Sequence, residues 1–578
     1  MCGIWSFIEL IKTAKPVNYG QLFNDFMNMK PRGPDFSSFQ TLKNVSFGFH
    51  RLAVMDPTFH ANQPYIIEDG ERTIVFLCNG EIYNFKEIIS KFKLDITTNA
   101  DCLTIPKLYL KYVKSNPTGY NNIDNFTLLF NEQIKGEYAF VLFEFDKLQN
   151  LKEIVIGRDH VGVRPLYIGM EQNETAYTSM MLSSEIKGML TYEGVVKEFP
   201  PGTIMHYHLD DFGTIVFEDP RNFKTLYDIV PHDERVFSNP EEKEYEYLCR
   251  VRDVVITSVK RRLVADKPIA FLLSGGVDSS LVASISTKLL GTKIRTFCCG
   301  MKGGTDLKYA RMVADHIGSN HTEVIFTPEE GLNKIREVIR LTETHCVTSI
   351  RASIGQNIVC EYISKNTDAK VVLVGEGADE VCSSYLTNWY APSGAALHET
   401  ALEYLRNIHL YDGRRVDRNV SNYGLEARVA LLDPQFIETY FSIPAEWRRP
   451  QTFGIEKYFL RQAFKDSGIL PDEILERKKE AFSDGMSSTE KSWFQILQEH
   501  IETLVSDQEF ANNKWDCVTK EQYYYKKVFC EFFGEKRLDI IPGSWLPKWD
   551  SNGNVVTKFI DPSARTLKIY KDSQFTDL

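Results

Sequence analysis

The sequence predicts an α/β protein of more than one domain, and three observations support this prediction. The first two hundred residues are mainly β-branched and aromatic runs broken by Gly, Asn and Asp, which is typical of strands. From residue 240 onwards, apolar strands alternate with helical segments, as they do in parallel sheets. The chain has 578 residues, whereas a single hydrophobic core stops growing at roughly 250–300 residues.

The N-terminal part is predicted to contain strands and a few helices. Its clearest strands are the stretches VSFGFHRLAVMD, TIVFLCNGEIYN, EYAFVLFEF and KEIVIGRD. The pattern is lost in residues 209–239, which are rich in Asp, Pro and Asn and show weak periodicity. We therefore expect a linker or a loosely structured connection there, between one domain at 2–208 and a second at 240–578.

The second domain opens with a helix whose start is well marked. Asn239 suits the N-cap and Pro240 the first helical position, while Glu241 and Glu242 suit the positive end of the helix dipole. Strands and helices then alternate through KPIAFLL, SSLVASISTKLL, KIRTFCCGM, YARMVADHIG and HTEVIF, which predicts a parallel sheet. Past residue 390 the chain is predicted to be mostly helical.

The composition argues against several classes of function. A net charge of −11 gives no electrostatic support to a nucleic-acid partner. We see neither a secretory signal nor an apolar stretch of bilayer length, so we expect no membrane contact and a cytoplasmic location. The 11 cysteines include no C-x-x-C pair, so neither a zinc cluster nor a disulfide framework is indicated.

The chain begins MCGIW, which places a cysteine directly behind the first methionine. Chance is one explanation, because some residue must follow Met1. The other is that Met1 is removed, so that Cys2 carries a thiol nucleophile and a free α-amino base in one residue. The stretch by itself does not decide between the two.

An anion cradle is predicted at FLLSGGVDSS, residues 271–280, where an apolar strand meets the start of a helix. The two glycines let the backbone approach a ligand, and the serine hydroxyls and the helix N-terminus supply donors. Asp278 would repel an anion there unless a cation intervenes, which suggests Mg²⁺. A tight Gly-Gly turn without function is the alternative, and the strand, helix and aspartate together favour the functional interpretation.

Two further clusters carry charge. In VVLVGEGADEV, residues 371–381, an apolar strand ends in acidic side chains. In open α/β sheets the carboxyl ends of the strands face the ligand crevice. In RKKEAFSDG, residues 477–485, a lysine suits a phosphate or a developing anion. Taken in isolation, the first could be a solvated acidic turn and the second a charged loop.

These clusters, in this order behind Cys-Gly-Ile, resemble those of the glutamine-hydrolysing asparagine synthetases. The resemblance runs from residue 2 to DPSARTLKIY, residues 561–570, and the 274–280 loop also resembles the signature of ATP pyrophosphatases. It implies an Ntn-type αββα sandwich as the glutaminase domain at 2–208. It implies an ATP-pyrophosphatase-like α/β synthetase domain with a helical C-terminal part at 240–578.

The resemblance assigns roles in the first domain. Cys2 matches the nucleophile, and Arg51 matches the arginine that holds the α-carboxylate of glutamine. The oxyanion hole would be formed by the side-chain amide of Asn79 and the backbone N–H of Gly80. The ammonium of glutamine would be bound by Glu81 and Asp101.

The resemblance also assigns roles in the second domain. Glu376 matches an acidic residue beside the reacting centre and Lys479 a lysine that stabilises the adenylation transition state. Arg351 and Arg415 match basic positions near the pocket, and the Mg²⁺ ligands would be Asp278 and Asp379. The implied ATP contacts are Leu273, Ser274, Gly275, Gly276, Asp278, Ser279, Ser280, Gly300, Met301, Gly375 and Glu376.

The implied reaction has two halves. Glutamine is hydrolysed to glutamate and ammonia, while aspartate and Mg²⁺-ATP form β-aspartyl-AMP and pyrophosphate. Ammonia then converts the adenylate to asparagine and AMP. We expect an interior channel for the ammonia, because free ammonia would be protonated and lost in water. The expected partners are thus glutamine, aspartate and ATP, and a homodimer is left open.

The chain departs from the family pattern at several positions, and other functions remain open. The substitutions are Pro31 for a histidine, Val374 and Ala378 for serines, Ser383 and Ser384 for glycines, and Ala430 for a proline. A related enzyme that adenylates another carboxylate is one alternative, and a glutaminase with an impaired synthetase site is a second. A non-enzymatic scaffold is a third, although a scaffold has no need of these side chains.

Overall fold

A computed structural model describes residues 1–12, 17–113, 122–223, 226, 228–488, 490–541 and 543–566. The chain forms two compact units. The N-terminal unit comprises Met1–Thr225, Val264–Lys267 and Ser421–Glu426, and the C-terminal unit comprises Leu226–Leu263, Pro268–Val420 and Ala427–Leu578. Among the described residues, no helix is long and apolar enough to cross a membrane.

The N-terminal unit contains two six-stranded sheets whose described strand pairs are antiparallel. Its strands are β1 (Gly3–Glu9), β2 (Phe36–Leu42), β3 (Val45–Arg51), β4 (Tyr65–Asp69), β5 (Arg72–Ile82), β6 (Gly136–Asp146), β7 (Leu151–Arg158), β8 (Tyr167–Gln172), β9 (Tyr177–Ser183), β10 (Val195–Glu198), β11 (Thr203–Leu209) and β12 (Ile215–Asn222). The first sheet has the order β10-β8-β9-β1-β3-β2 and the second the order β12-β11-β7-β6-β5-β4.

Both faces of the second sheet are covered. Successive side chains of a strand point to opposite faces, and here both sets are buried. On β5, Val75 and Leu77 pack in the core between the two sheets. Their neighbours Ile74 and Phe76 pack on the opposite face, in a core shared with residues of three helices. The helices of this unit are α1 (Tyr19–Met27), α2 (Phe85–Phe92), α3 (Thr104–Tyr112) and α4 (Asp124–Glu132).

Helix α1 covers the outer face of the first sheet, where the ring of Phe26 packs against Trp5 and Phe39. The layers are therefore helix, sheet, sheet and helices. The αββα sandwich implied by the sequence is confirmed.

The stretch expected to be a linker is partly a strand. Strand β12 pairs antiparallel with β11, so this part of residues 209–239 is not loosely structured. The hairpin turn depends on Asp210, whose carboxylate accepts hydrogen bonds from the backbone N–H groups of Phe212 and Thr214. Gly213 takes a left-handed φ of 83° that favours glycine. The domain boundaries themselves stay predictions.

The C-terminal unit is built on a five-stranded sheet of order β15-β14-β13-β16-β17. Strand β13 pairs parallel with both β14 and β16, and β14 pairs parallel with β15, so the predicted parallel sheet is confirmed. Its strands are β13 (Ile269–Leu272), β14 (Arg295–Gly300), β15 (Asn320–Ile325), β16 (Val371–Val374) and β17 (Glu426–Val429).

Helices surround this sheet and are the main regular elements among the described residues beyond 390, as predicted. The first begins at Pro240, and the side chain of Asn239 caps it by accepting from the backbone N–H of Glu242. The helices are α5 (Pro240–Arg262), α6 (Val277–Leu290), α7 (Thr305–Ile317), α8 (Pro328–Asn333), α9 (Ile335–Thr342), α10 (Val347–Asn366), α11 (Ala378–Val381), α12 (Gly394–Asn407), α13 (Asp412–Ser421), α14 (Pro434–Ser442), α15 (Pro450–Phe453), α16 (Tyr458–Gln462), α17 (Asp472–Leu475), α18 (Phe482–Gly485), α19 (Trp493–Leu504), α20 (Asp507–Ala511) and α21 (Lys520–Phe533).

Candidate active sites

Cys2 lies at the start of β1, beside the end of β3. Its Sγ accepts a hydrogen bond from the backbone N–H of Leu52 at 3.4 Å and lies 3.7 Å from the carbonyl oxygen of the same residue. Burial raises the pKa of the Cys2 thiol to about 11, against the opposing charges of the chain N-terminus and Arg51. The thiol is therefore protonated at neutral pH and needs a base to react.

Met1 is almost fully buried, at 1% exposure. Its α-amino group donates to the carbonyl oxygens of Leu425 at 2.7 Å and Arg32 at 3.3 Å. Burial lowers the pKa of this amine to about 5. While Met1 is attached, the amine that would serve Cys2 is a peptide nitrogen and cannot take up a proton.

The buried Arg51, at the end of β3, is directed at the loop that follows it. Its Nη1 donates to Thr58 O at 2.7 Å and to Asn62 Oδ1 at 2.6 Å, and its Nη2 donates to Met55 O at 3.2 Å and also to Asp56 O. These contacts fix the guanidinium in one orientation. Its role in binding a carboxylate stays a prediction.

The predicted oxyanion donors lie on β5. Asn79 is 1% exposed, and its Nδ2 has no hydrogen-bond partner. A buried amide N–H without a partner is costly, so this donor suits an oxygen supplied by a substrate. Gly80 follows directly, and a Cβ at Gly80 would lie 2.3 Å from Glu137 O, so no larger residue fits there.

The acidic residues expected to bind an ammonium group gather at the same end of β5. The carbonyl of Gly80 accepts from the thiol of Cys102 at 3.3 Å, and Asp101 precedes that cysteine. Asp101 Oδ2 also accepts from the backbone N–H of Ile82 at 2.6 Å. Glu81 is buried, with 6% exposure. The structure thus brings Gly80, Glu81 and Asp101 together.

A cavity of about 400 Å³ lies in the C-terminal unit. The strand order places β14 on one side of β13 and β16 on the other, which makes the point between β13 and β16 a topological switch. Ligands bind at the carboxyl ends of strands at such a point. The predicted residues that line this cavity are Leu273, Ser274, Gly276, Asp278, Ser279, Gly375, Glu376, Asp379, Arg415 and Lys479.

The 274–280 loop follows β13 and begins α6. Gly275 has a φ of 73°, and a Cβ there would lie 2.4 Å from the backbone carbon of Tyr309. The loop is braced internally, because Ser279 Oγ accepts from the backbone N–H of Ser274 at 3.1 Å. Gly375, after β16, packs against it so closely that a Cβ would lie 2.6 Å from the nitrogen of Ser279. Gly275 therefore shapes the loop from behind and does not line the cavity.

Asp278 and Asp379 meet at a buried lysine that the sequence analysis missed. The Nζ of Lys457 forms ion pairs with Asp379 Oδ1 at 2.5 Å and with Asp278 Oδ2. The Nζ of Lys479 lies 2.5 Å from Asp379 Oδ2. Burial alone would raise the pKa of Asp379, but the two lysines hold it well below its usual range.

These aspartates fit a divalent cation. Asp278 Oδ1 is buried and has no hydrogen-bond partner, and burial raises the pKa of this carboxyl despite Lys457. Within the described residues, no group of three or more His, Cys, Asp or Glu side chains forms a metal site. Mg²⁺ is often held by one or two carboxylates together with substrate phosphates and water, so two aspartates are sufficient.

Glu376 lies in a hydrogen-bonded cluster on the cavity wall. Its Oε1 accepts from Gln356 Nε2 at 3.0 Å and from Arg415 Nη1 at 3.2 Å. Arg415 also donates to Asp412 Oδ1 at 3.2 Å through its Nε. Burial raises the pKa of Glu376, while Arg415 opposes that shift. Arg415 thus lies in the site as predicted.

Some predicted residues lie away from the cavity wall. The guanidinium of Arg351 forms ion pairs with Glu521 and Asp561 at 2.6 and 2.9 Å, so it is engaged by later segments of the chain. Its role near the pocket stays a prediction. The backbone N–H of Met301 donates to Met486 O at 2.8 Å, so Met301 contacts the segment that follows α18. The predicted ATP contacts that do not line the cavity are Gly275, Ser280, Gly300 and Met301.

The departures from the family pattern have local consequences. Ser384 Oγ donates a hydrogen bond to Asp379 Oδ1, so this substitution adds a contact to a predicted metal ligand. Val374 and Ala378 are fully buried, which accounts for their apolar side chains.

Two further residues of the site were missed by sequence reasoning, besides Lys457. Arg477 donates to Ser274 O at 3.2 Å and to Asp306 Oδ1 at 2.8 Å. Gln356 contacts Glu376 from helix α10. Arg477 lies in the RKKEAFSDG stretch. Lys457, in the turn before α16, and Gln356, in helix α10, stand in no recognised motif.

Comparisons with known proteins match both parts of the chain. A family model described as Asparagine synthase matches residues 250–396 and 390–545, and one described as Glutamine amidotransferase domain matches residues 1–234. The glutamine-hydrolyzing asparagine synthetase of Homo sapiens is 37% identical over 601 residues, which cover 99% of this chain and 100% of that protein. The protein of that name from Gallus gallus is 37% identical over 596 residues, with the same coverage.

A solved structure of NMN synthetase from Francisella tularensis has 13% identity and a TM-score of 0.24, over 53% of this chain and 98% of that chain. That likeness is too low to support an argument.

A unit of two antiparallel sheets matched by the glutamine amidotransferase model, followed by a parallel-sheet unit matched by the asparagine synthase model, defines a glutamine amidotransferase joined to an ATP-dependent synthetase domain. The identity over the full chain then settles the family. The chain belongs to the glutamine-hydrolysing asparagine synthetases.

Proposed function

We propose that the two units divide the reaction of this family between them through the residues described above. The chain catalyses ATP-dependent synthesis of asparagine from aspartate, with glutamine as the source of nitrogen. The N-terminal unit would release ammonia from glutamine, and the C-terminal unit would activate aspartate. A cytoplasmic location and a homodimer stay predictions from the sequence.

The first half reaction is proposed to start at Cys2 after removal of Met1. The freed α-amine, with an ordinary pKa of about 7.7–8.0, takes the thiol proton as Sγ attacks the amide carbon of glutamine. The same proton then goes to the departing ammonia. Water hydrolyses the thioester to glutamate and restores the thiol.

The charge that develops on the amide oxygen needs donors. The unpartnered Nδ2 of Asn79 and the backbone N–H of Gly80 would supply them. Removal of one such donor typically lowers kcat by about 10²–10³. Glu81 and Asp101 would bind the ammonium of glutamine and Arg51 its carboxylate.

The second half reaction is proposed to take place at the cavity between the ends of β13 and β16. The β- and γ-phosphates of ATP would lie on the loop of Ser274 and Ser279. Asp278 and Asp379 would hold Mg²⁺, which neutralises phosphate charge when bound. The carboxylate of aspartate attacks the α-phosphorus and pyrophosphate leaves, while Lys479 stabilises the charge on the transferring group.

Ammonia then attacks the carbonyl carbon of β-aspartyl-AMP, and AMP leaves. The buried Glu376, whose pKa is raised by burial, is placed to accept a proton from the attacking ammonia. Arg415 and Gln356 hold the Glu376 carboxylate in one position.

One observation carries this proposal. Asp278 and Asp379, 101 residues apart in the chain, both contact the same Nζ atom at the carboxyl ends of adjacent parallel strands. Aspartates from separate motifs thus converge on the ammonium group of Lys457. A metal and phosphate site shared by the two motifs requires such convergence.

A Cys2→Ala variant tests the division of labour. We expect it to lose asparagine formation with glutamine and to keep formation with ammonium chloride, because the residues proposed for the synthetase reaction lie in the C-terminal unit. The measurement is the rate of asparagine and AMP formation from aspartate and Mg²⁺-ATP with each nitrogen source.

Two results would contradict the proposal. Loss of both activities in a folded Cys2→Ala protein would argue against separate sites. Absence of asparagine and AMP from the wild-type reaction would argue for another acceptor carboxylate. Intact-protein mass measurement is the control for processing, since a retained Met1 leaves Cys2 without a free amine.

A further inference from the structure

Three charged side chains of the segment 477–480 have separate partners. This segment lies between α17 and α18, outside helices and strands. Lys479 reaches Asp379 at 2.5 Å. Its neighbours bind elsewhere, since Arg477 pairs with Asp306 at 2.8 Å and Glu480 Oε2 accepts from Thr305 Oγ1 at 2.6 Å. Lys479 therefore lies between two residues, Arg477 and Glu480, whose side chains anchor the segment to other parts of the unit.

The second anchor is completed by Arg565, near the end of the described chain. Its guanidinium is 9% exposed and lies 2.8 Å from Glu480 Oε1. The other contacts are to the stretch that follows, which gives the planar fork several partners at once. They are Asp484 O at 2.7 Å, Ser487 Oγ at 3.1 Å, Ser488 O at 2.8 Å and Ser492 Oγ at 3.2 Å.

Arg565 is presented by a segment that is itself fixed. Ser563 Oγ donates to Asp484 Oδ1 at 2.8 Å. Asp561 pairs with the buried Arg351 at 2.9 Å. Residues 561–566, which contain the quoted DPSART stretch, are thus joined to the C-terminal unit at three side chains.

The contacts continue from Arg565 to the phosphate loop. Glu480 Oε2 also accepts from Arg477 Nη2 at 3.3 Å, and Arg477 Nη1 donates to Ser274 O at 3.2 Å. The guanidinium of Arg477 lies 4.2 Å from the ring centroid of Tyr309, the residue against which Gly275 packs. Arg565, Glu480 and Arg477 therefore form one line of contacts behind Lys479.

We propose that Arg565 is a positioning residue for adenylation, which holds Glu480 and thereby places Lys479 at the phosphates. The inference rests on the role proposed for Lys479. A lysine side chain is flexible along four carbons, so its ammonium is placed only if its backbone is fixed. Without Arg565, the buried Glu480 loses a cationic partner, and the segment shifts.

The test is an Arg565→Ala variant of the full chain. The measurement is single-turnover release of pyrophosphate with saturating Mg²⁺-ATP, aspartate and ammonium. We expect this rate to fall by about ten- to a hundredfold, as a misplacement of about 1 Å can do. Glutamine hydrolysis should stay at the wild-type rate, because the residues proposed for it lie in the N-terminal unit.

Rescue separates positioning from bulk stability. We expect added guanidinium ion to restore part of the pyrophosphate release of Arg565→Ala, because it can occupy the vacated space beside Glu480. Arg565→Lys should be intermediate, since it keeps the charge and loses the fork. The matched control is Arg336→Ala, which removes an exposed arginine paired with Glu531 and should release pyrophosphate at the wild-type rate.

Two outcomes would overturn the inference. One is wild-type pyrophosphate release by Arg565→Ala. The other is a loss of pyrophosphate release that added guanidinium does not restore, because a positioning role predicts partial rescue. A Lys479→Ala variant keeps the two ideas apart, because wild-type release by that variant would remove the role proposed for Lys479 itself.

Discussion

Lys457 shows how a single side chain sets the electrostatics of the synthetase site. It is 2% exposed and has a positive φ of 60°. Burial alone would lower its pKa, but Asp278 and Asp379 raise it above the ordinary lysine value, so the ammonium stays charged. The lysine compensates two carboxylates that would otherwise repel each other in a buried setting.

Lys457→Met is therefore expected to destabilise the ligand-free protein by about 3–5 kcal/mol, because it leaves uncompensated buried charge. Mg²⁺ should raise the thermal midpoint of this variant more than that of the wild type, since the cation can replace the lost ammonium. Thermal unfolding with and without Mg²⁺ measures both effects.

The control for that experiment is Lys334→Met. Lys334 also bridges two carboxylates, Glu337 and Glu361, but its side chain is 20% exposed. We expect a change of at most about 1 kcal/mol there and no specific response to Mg²⁺. An equal Mg²⁺ response in the two variants would contradict the prediction.

At this scale the sequence predicts residues that stand in dense motifs. Cys2, Asp278 and Asp379 each lie in a short stretch, and the order of these stretches along the chain carries the resemblance that none of them carries alone. Lys457 could not be found in this way, because its partners are 179 and 78 positions away and only the arrangement of the strands brings them together. For Arg351 the sequence does not show the partners either, because Glu521 and Asp561 lie 170 and 210 positions away.

At the scale of elements, the loop between β13 and α6 depends on one glycine. Gly275 combines a left-handed φ with contact against the backbone of Tyr309. The strand and helix on either side fix where this loop begins and ends. The loop thus has little freedom to adjust to a larger residue.

Gly275→Ala is expected to weaken ATP binding strongly and to destabilise the C-terminal unit by more than about 1 kcal/mol, because strain at φ adds to a steric overlap. ATP affinity by equilibrium titration and urea unfolding are the measurements. Gly291→Ala is the matched control, since Gly291 has a φ of 63° but nothing within 4 Å of its Cβ position. Similar losses in both variants would show that the overlap has no effect.

The elements themselves were largely predictable. Runs of β-branched and aromatic residues located β3, β5, β6 and β7. Strands β5, β6 and β7 place side chains in both cores, and β3 places Val45, Phe47 and Phe49 in the core between the sheets. The hairpin of β11 and β12 was missed. The signal for this hairpin is the turn DDFGT, because aspartate and glycine are typical turn residues.

At the scale of the whole molecule, several buried histidines make stability depend on pH. His398 donates from one ring nitrogen to Ile229 O at 3.0 Å and accepts from Arg448 with the other at 2.9 Å. Burial lowers the pKa of His398 to about 4, from 6.5. Between these values the unfolded chain binds more protons than the folded one, so stability rises with pH.

His398→Gln is expected to remove this part of the pH dependence. Wild type should lose about 2 kcal/mol more than the variant between pH 7 and pH 5, since glutamine can keep both hydrogen bonds without titrating. Urea unfolding of the two proteins at pH 5, 6 and 7 measures the difference. His50, His321 and His345, whose pKa values burial also lowers to about 4, are common to both and cancel. A difference that is constant with pH would contradict the prediction.

The division into units was only partly predictable. The strand-rich and alternating halves identify the two architectures. Nothing in the sequence marks Ser421–Glu426 as part of the N-terminal unit, because six residues are too few to show a pattern.

That short segment has a consequence for the order of events during synthesis. Leu425, which accepts the hydrogen bond from the amine of Met1, emerges from the ribosome 424 residues after it. An aminopeptidase must bind an extended N-terminus, whereas a folded chain buries Met1 and seats β1 between β3 and β9. Any removal of Met1 therefore belongs to the interval before β1 joins its sheet, when the nascent end is still free, and a chain that misses this interval is expected to keep its methionine.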